Sequence, residues 1–409
     1  MGNGKDIAVT GSGALAPEPL GSILGGIGAS ADVSAAADVL EGHAPEPPEI
    51  TAFEIPQGAP AFGFEVVDFE LSKFVPSIKS YIDRCSALAL GAARLTLDRA
   101  GLAPDKPRPA EIGLVYATTF GCLDSMELFW QKVKGGNPKF APPLPFTHAY
   151  ANSPSSILAI EFKLRGHAIT FSGDVSSGLL AVAQAASAIR GGAASAVLAG
   201  ASEALSAARW RHHWSEGELS LDGKWVPLAP AGSANGIVPG EGAAFVLLET
   251  LEGAAARNAD VESVLAGWAL SPFGGTKSPA AALQEAARRA LEEAGVAPKQ
   301  VGLVCLASPE PDALAGSERE AIGALFGSHC PLLCAPKWAG GEALSVSPAF
   351  AIVQASGCLS GRVLPAPCVD PCGAAVKVAG ERPDTALVHM LDPWGQAGAA
   401  VLKRRDLQP

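Results

Sequence analysis

Apolar runs bounded by glycine, proline or short polar turns alternate along this chain with segments whose apolar residues recur at helical spacing. The apolar runs are nearly continuous, as in strands that are covered on both faces of a sheet. The predicted strands are residues 7–10, 112–116, 194–198, 242–249, 261–268, 301–307 and 386–391, with a further strand starting at residue 169. The predicted helices are residues 82–100, 125–133, 179–190, 279–294, 317–326 and 343–355.

The order of these elements repeats after about residue 255. Alternating helices and buried strands predict a layered α/β fold. The recurrence predicts two duplicated halves, residues 1–254 and 255–409. Residues 30–60 are rich in Ala, Pro, Glu and Gly without a clear period, so we expect them to form a surface insertion.

Composition narrows the class of protein. Of the 409 residues, 48% are hydrophobic and 17% are charged, which favours a large buried core and an extensive subunit interface over a disordered chain. The net charge of −11 and the lack of a Lys/Arg cluster argue against nucleic acid as a partner. The chain has no run of about 20 apolar residues that would predict a membrane span, and its polar N-terminus does not resemble a signal peptide.

The eight cysteines include no Cys-x-x-Cys pair, and no histidine pattern completes a zinc site. We therefore expect buried free thiols in a cytoplasmic protein that has no metal or other cofactor. His212 and His213 lie in a polar and aromatic stretch without a carboxylate or cysteine at ligand spacing. We interpret them as surface or interface residues.

One segment has the pattern of a catalytic turn. From Ile169 an apolar strand runs into a Ser/Gly turn, and an Ala-rich helix follows until Gly191. Several enzyme families hold a reactive Ser or Cys at such a junction, surrounded by the amides of the helix N-terminus. The residue at the tip here is Val175, which cannot act as a nucleophile. The sequence therefore predicts an enzyme scaffold that lacks its reacting atom.

Motifs along nearly the whole chain resemble, in order, those of the β-ketoacyl-acyl-carrier-protein synthase family. The resemblance implies a thiolase-like layered αβαβα fold built from two duplicated halves, and Glu241 retains the glutamate of the family's Gly-Glu-Gly-Ala motif. The matching segments are Val9-Thr-Gly-Ser-Gly13, Tyr81-Ile-Asp-Arg84, Thr118-Thr-Phe-Gly121, Asn152-Ser-Pro-Ser155, Leu164-Arg-Gly166, Leu198-Ala-Gly-Ala-Ser-Glu203, Pro239-Gly-Glu-Gly-Ala243 and Val246-Leu-Leu-Glu249.

The family's chemistry uses a Cys that carries the acyl chain as a thioester and two His side chains that stabilise the developing charge. By position, the Cys falls on Val175, the first His on Ser308 and the second His on Glu342. The Lys that precedes the second His by five residues is retained as Lys337. The resemblance therefore implies no catalytic residue in this chain.

The degenerate triad resembles that of the chain-length factors of bacterial type II polyketide systems, including those that make aryl polyene pigments. This implies a non-catalytic subunit that forms a heterodimer with an active ketosynthase and acts during elongation on an acyl carrier protein. Aromatic-polyketide factors usually carry Gln where Val175 stands, which favours the polyene class. The residues implied for the dimer seam and acyl tunnel are Thr119, Phe120, Met126, Phe129 and Trp130, with Trp394 as the gate in the loop 393–398.

Two other functions stay open. Ser176, Ser308 or Glu342 could serve an acyltransferase or hydrolase with altered chemistry, and the chain could form a purely structural homodimer. Against altered chemistry, Ser176 and Ser177 are typical of helix N-cap and turn positions. Glu342 is placed to pair with Lys337 or to be solvated.

Overall fold

Strands that are buried on both faces form the centre of the molecule. The computed structural model describes residues 6–25, 34–77, 81–102, 112–136, 138–141, 143–230, 236–308, 314–377 and 382–405. The strands are β1 (Ile7–Leu15), β2 (Ile112–Thr118), β3 (Ala168–Ser172), β4 (Ala196–Glu203), β5 (Gly242–Thr250), β6 (Ser263–Pro272), β7 (Leu303–Cys305), β8 (Leu332–Cys334), β9 (Cys368–Val369), β10 (Ala375–Val376), β11 (Thr385–Asp392) and β12 (Gln396–Lys403).

Helices connect these strands and cover the sheet. They are α1 (Leu20–Ile23), α2 (Ser34–Leu40), α3 (Arg84–Arg99), α4 (Leu123–Gly135), α5 (Pro143–Thr147), α6 (Ser153–Phe162), α7 (Ser176–Arg190), α8 (Ala207–Ser215), α9 (Leu251–Ala256), α10 (Pro279–Ala294), α11 (Ser317–Phe326), α12 (Pro336–Gly340) and α13 (Val346–Ser360). Short 3-10 turns lie at Leu71–Lys73, Pro138–Phe140 and Pro298–Gln300.

The strand order shows the internal duplication directly. One half runs β3-β2-β4-β5-β1, and the other runs β8-β7-β11-β12-β6 with the two-residue strands β9 and β10 added beyond β8. When β9 and β10 are left out, the same chain order, 3-2-4-5-1, occurs in both halves. The pairings also agree, because in each half the first three strands of this order are parallel and the last two ladders are antiparallel. The equivalent strands β1 and β6 pair with each other and join the halves.

Helices occupy three layers around the two halves of the sheet. Helix α3 packs on β1 and β5, and its counterpart α10 packs on β6 and β12. Helices α7 and α13 contact each other and strands of both halves, so they form the central layer. The close approach of β1 to α3 requires glycine, since a Cβ on Gly11 would lie 2.5 Å from the carbonyl oxygen of Thr96. The layer order is αβαβα, as expected.

All the predicted strands and helices are confirmed, although several ends differ. The loop expected over 393–398 is wrong after residue 395, because strand β12 begins at Gln396. Its Ala- and Gly-rich start has weak strand propensity, and the pairing with β11 and β6 on its two sides decides the conformation. The surface insertion is confirmed over 41–60, where most residues are exposed or half-buried, but the helix α2 before it was not predicted. Residues 30–33 lie outside the described part, and the division between residues 254 and 255 stays a prediction.

Candidate functional site

The predicted strand–turn–helix junction is confirmed, with Val175 at its tip. Strand β3 ends at Ser172, and helix α7 begins at Ser176. Val175 is the N-cap residue, has helical dihedral angles and is 4% exposed. The N-cap assignment expected for Ser176 and Ser177 is wrong, because both are the first residues of the helix itself. The hydroxyl of Ser177 donates to the carbonyl oxygens of Gly173 and Asp174, at 3.0 and 2.7 Å.

A glycine sets the position of this junction against the second half of the molecule. A Cβ on Gly178 would overlap the carbonyl oxygen of Ser345. The first turn of α7 therefore packs backbone against backbone on the residue that precedes α13. This contact brings Val175 beside the segment that contains Glu342 and Leu344, with which it lines a common cavity.

Two carboxylates of the chain accept hydrogen bonds from the backbone amides at the junction. The Val175 amide donates to Asp174 Oδ1 at 2.8 Å. Asp392 accepts from the Ser176 amide at Oδ2 and from the Trp394 amide at Oδ1, both at 2.9 Å. Free amides at a helix N-terminus attract anions, and an acyl-transfer enzyme uses such donors for its oxyanion. Here internal acids already satisfy them.

Glu342 is held by a buried network. Its Oε2 accepts from Lys337 Nζ at 2.6 Å, and its Oε1 accepts from the Leu344 amide at 2.8 Å and from Ser347 Oγ at 2.9 Å. Both members of the ion pair are buried. The predicted pairing of Glu342 with Lys337 is confirmed. A carboxylate committed to a lysine, an amide and a hydroxyl is poorly placed to act as a general base.

Ser308 does not line the cavity beside Val175, and it donates hydrogen bonds to another buried acid, Glu318. Its hydroxyl donates to Glu318 Oε2 at 2.5 Å, and its amide donates to the same oxygen at 2.8 Å. The other oxygen, Glu318 Oε1, lies 2.8 Å from His389 Nδ1. Burial raises the pKa of Glu318, but the contacts with His389 and Ser308 outweigh it and leave the pKa below its usual value. Ser308 is fully buried, so a substrate cannot reach it.

The junction opens onto a cavity of about 690 Å³. Of the residues predicted for the site, Thr119, Phe120, Val175, Glu342 and Trp394 line it. Trp394 stands at the rim, with 85% of its surface exposed. The other described lining residues are Ser172, Gly173, Asp174, His212, His213, Gly217, Glu218, Gly236, Ile237, Leu344, Leu391 and Pro393. The volume is within the range of small-molecule sites.

The described residues that line this cavity are acidic rather than basic, and one of the acids, Glu342, is paired with Lys337. Among its described lining residues are three carboxylates and no Lys or Arg. Burial, reinforced by the nearby charges of Asp392 and Glu342, raises the pKa of Asp174 to about 6. Burial beside the Arg209 guanidinium lowers the pKa of His213 to about 3, so this imidazole is neutral at pH 7. These carboxylates would repel an anionic group that entered the cavity.

The two adjacent histidines differ in their surroundings. His212 is exposed, while His213 is buried and its Nδ1 lies 2.7 Å from Glu218 Oε2. Both rings contact Phe120 edge-on. The surface interpretation is therefore wrong for His213, since it lies on the same buried face of α8 as Arg209, four residues earlier. Within the described ranges, no group of three or more His, Cys, Asp or Glu side chains could hold a metal ion.

The remaining predicted tunnel residues lie outside this cavity. Met126, Phe129 and Trp130 belong to helix α4, and Trp130 is 49% exposed. The Phe129 ring packs on Phe146, with centroids 5.0 Å apart, and Phe146 packs on Tyr150 at 5.3 Å. These rings form an aromatic surface of α4 and α5, which has no lining residue in common with the cavity. Their role in a tunnel stays a prediction.

Glu241 has a structural position. Its carboxylate pairs with Arg84 and accepts from the amides of Val66 at 2.8 Å and Leu205 at 3.0 Å. It is buried and joins three segments that are distant in sequence. The motif glutamate therefore organises the backbone behind the cavity.

Sequence reasoning missed Asp392, Glu318 and His389. One signal was present, since His389 is a lone histidine in an otherwise apolar strand, where a buried polar side chain needs a partner. The partner itself, Glu318, is 71 residues away on α11 and could not be identified from spacing. In the part of the chain that the structure describes, every helix is too short or too polar to cross a membrane.

Comparison with known proteins identifies the scaffold. The family model described as beta-ketoacyl synthase, N-terminal domain, matches residues 5–254. The tetracenomycin polyketide synthase ketoacyl synthase beta subunit of Streptomyces glaucescens is 32% identical over 375 residues, which cover 85% of this chain and 89% of that protein. The actinorhodin polyketide beta-ketoacyl synthase 2 of Streptomyces coelicolor is 29% identical and covers 97% of this chain and 98% of its own.

Solved structures agree on the fold. The ishigamide ketosynthase/chain length factor superposes with a TM-score of 0.81 at 21% identity, over 97% of this chain and 98% of that one. A beta-ketoacyl synthase from Burkholderia phymatum gives 0.82 at 18% identity, over 97% and 99%. These matches support the thiolase-like αβαβα architecture, and the family model covers more than half of the sequence. The chain therefore belongs to the β-ketoacyl synthase family.

Proposed function

We propose that this chain is the non-catalytic subunit of a heterodimeric ketosynthase and acts as its chain-length factor. It pairs with an active, Cys-bearing ketosynthase and shapes the tunnel in which an acyl or polyketide chain grows on an acyl carrier protein. Relatives named as a ketoacyl synthase beta subunit and as a ketosynthase/chain length factor support this assignment. A solved type II complex of a ketosynthase with its acyl carrier protein supports the second partner.

The observation that carries the proposal is a cavity that is intact but has no nucleophile at the helix N-terminus. The fold, the helix N-terminus and a ligand-sized cavity are intact, yet Val175 stands at the nucleophile position. Asp174 and Asp392 occupy the amides, and Glu342 stands where a neutral hydrogen-bond donor would be needed. Neither the covalent step nor the stabilisation of its charge is available. The alternative acyltransferase or hydrolase gains no support at Ser308, which is buried, or at Glu342, which is ion-paired; it stays open at Ser176, which is half-buried.

An exposed edge supports a protein partner. Strand β3 ends one side of the sheet and is half-exposed along its length, whereas the strands beside it are buried. Next to it in sequence, Ile160 on α6 is 78% exposed, and the aromatic surface of α4 and α5 is exposed as well. An unpaired strand edge with apolar neighbours is a favourable place for a second subunit to continue the sheet.

We also propose that three apolar residues on α4 reach the partner's tunnel, although they do not line this chain's own cavity. Met126, Phe129 and Trp130 would then limit the length of the growing chain by their bulk. A cytoplasmic location belongs to the same proposal. All eight cysteines have free thiols, as is usual in a reducing compartment.

Co-purification with a Cys-bearing type II ketosynthase tests the pairing. We expect a stable 1:1 complex by size-exclusion chromatography with multi-angle light scattering, and an Ile160→Asp variant that no longer forms it. Leu221→Asp is the matched control, because Leu221 is an equally exposed apolar residue outside α4–α6 and β3. A chain that forms only a homodimer, or a complex unaffected by Ile160→Asp, would overturn this part of the proposal.

A further inference from the structure

A second, much smaller cavity lies behind Val175. Its volume is about 10 Å³, and Val175 lines both this cavity and the large one. The polar side chains that face the small cavity are Lys337, Ser347 and His389. A cavity of about this volume holds a single water molecule when it has polar partners. The position of the missing nucleophile therefore borders a site of water size.

His389 faces this cavity with an unpaired nitrogen. Its Nδ1 donates to Glu318 Oε1 at 2.8 Å, and both side chains are fully buried. Among the residues that the structure describes, its Nε2 has no hydrogen-bond partner. A carboxylate that accepts from Nδ1–H fixes the tautomer and leaves a lone pair on Nε2, which is the arrangement that orients a general base in hydrolase triads.

The other contacts of Glu318 reinforce this arrangement. Its Oε2 accepts from Ser308, and the Ala307 amide donates to Oε1 at 2.9 Å. These contacts therefore hold the Glu318 carboxylate in place independently of its hydrogen bond with His389. Lys337, the cation that shares the cavity, is paired with Glu342. An unpaired buried imidazole nitrogen is costly unless it binds water or acts on a neighbouring group.

We propose that Glu318 and His389 form a latent general-base dyad that serves residue 175 and that, in the present chain, holds one water molecule on His389 Nε2. This inference goes beyond the role in a heterodimer and does not depend on a partner. With Cys at residue 175, the thiol proton passes to Nε2 and the resulting thiolate is the nucleophile. Attack on iodoacetamide then forms a sulfur–carbon bond and releases iodide.

Alkylation kinetics test the dyad in the full-length chain. Val175→Cys is made in a Cys330→Ser, Cys372→Ser background, which removes the exposed thiols, and iodoacetamide labelling at pH 7 is followed by peptide mass spectrometry. We expect residue 175 to react about tenfold faster than in the same protein with His389→Gln. His43→Gln, at an exposed histidine, is the matched control and should leave the rate unchanged. Equal rates with and without His389 would overturn the proposal.

A measurement on the unaltered protein covers the case in which His389→Gln does not fold. Nitrogen-15 NMR of the histidine rings should show one buried imidazole that is protonated at Nδ1 and carries a lone pair at Nε2. Comparison with Glu318→Gln assigns this signal. A His389 that is protonated at Nε2, or at both nitrogens, at pH 7 would contradict the dyad.

Discussion

The two halves share their strand order, but their central helices begin in opposite surroundings. Helix α7 begins beside the large cavity, with Val175 facing it. Its counterpart α13 begins in the interior, where the Ser345 hydroxyl donates to Glu203 at 3.0 Å and every residue from Val346 to Leu359 is buried. The comparison teaches that duplication supplied two helix N-termini and that only one became accessible.

The largest expected effect comes from forcing these two N-termini apart. Gly178→Val would place side-chain atoms where the Ser345 carbonyl oxygen lies. Overpacking typically costs about 1–3 kcal/mol, and we expect more here because the overlap is with backbone. We expect a large loss in the free energy of unfolding measured with urea. Gly323→Ala, in the open interior of α11, is the control and should be neutral or stabilising by up to about 1 kcal/mol. A tolerated Gly178→Val would show that the contact does not hold the junction.

The buried ion pair gives the next largest effect. Glu342→Ala leaves Lys337 without its carboxylate, and an unpaired buried charge costs about 3–5 kcal/mol. Removing both partners with Glu342→Gln and Lys337→Met should cost clearly less, because no buried charge remains. Chemical unfolding of the single and double variants measures the difference. Equal stability of Glu342→Ala and the unaltered protein would mean that water solvates Lys337.

Restoring the nucleophile alone should not restore synthesis. Val175→Cys gains a thiol, but on the assignment proposed above Ser308 and Glu342 take the places of the two imidazoles. Asp392 also still accepts from the amides of Ser176 and Trp394. We expect no measurable condensation of acyl and malonyl groups on carrier proteins, even though the thiol is reactive. Turnover in this single variant would contradict the assignment of the three positions.

A smaller effect is expected on product length. Phe120→Ala and Trp130→Ala remove bulk from the cavity and from the α4 surface, so the heterodimer should release longer chains. Mass spectrometry of the products provides the readout, with Trp214→Ala as an exposed aromatic control on α8. An unchanged distribution in both test variants would exclude a tunnel role for these residues.

The smallest effect concerns pH. The pKa of Asp174 is about 6 in the folded chain, against 3.8 for an unperturbed side chain. The folded state therefore binds more protons than the unfolded state between these values, and this group lowers the stability as pH rises from about 4 to 6. Asp174→Asn should flatten that part of the stability curve, measured by urea unfolding at several pH values. The Asp392 and Glu342 carboxylates, which add to the shift, remain in this variant.

Local sequence patterns predicted the helices and strands whose ends are set by residues next to them in sequence. Helix α10 begins after Ser278, whose hydroxyl accepts from the Ala281 amide, and ends at Gly295 with a positive φ of 64°. Spacing also indicated the pair Lys337–Glu342, as one of two alternatives beside a solvated Glu342. The contacts of Asp392 and of His389 join residues 216 and 71 positions apart. Such contacts depend on how α7 and α11 pack against β11, and this packing has no local signal.

Intact-mass analysis of the complex tests the central claim most directly. This chain and a Cys-bearing ketosynthase are incubated together with acyl- and malonyl-loaded carrier proteins. The intact mass of each subunit is then measured by mass spectrometry. We predict an acyl adduct on the partner alone, condensation only when both subunits are present, and no adduct on this chain with or without the partner. A covalent acyl adduct on this chain would contradict the account, because the residues at the cavity would then include a nucleophile.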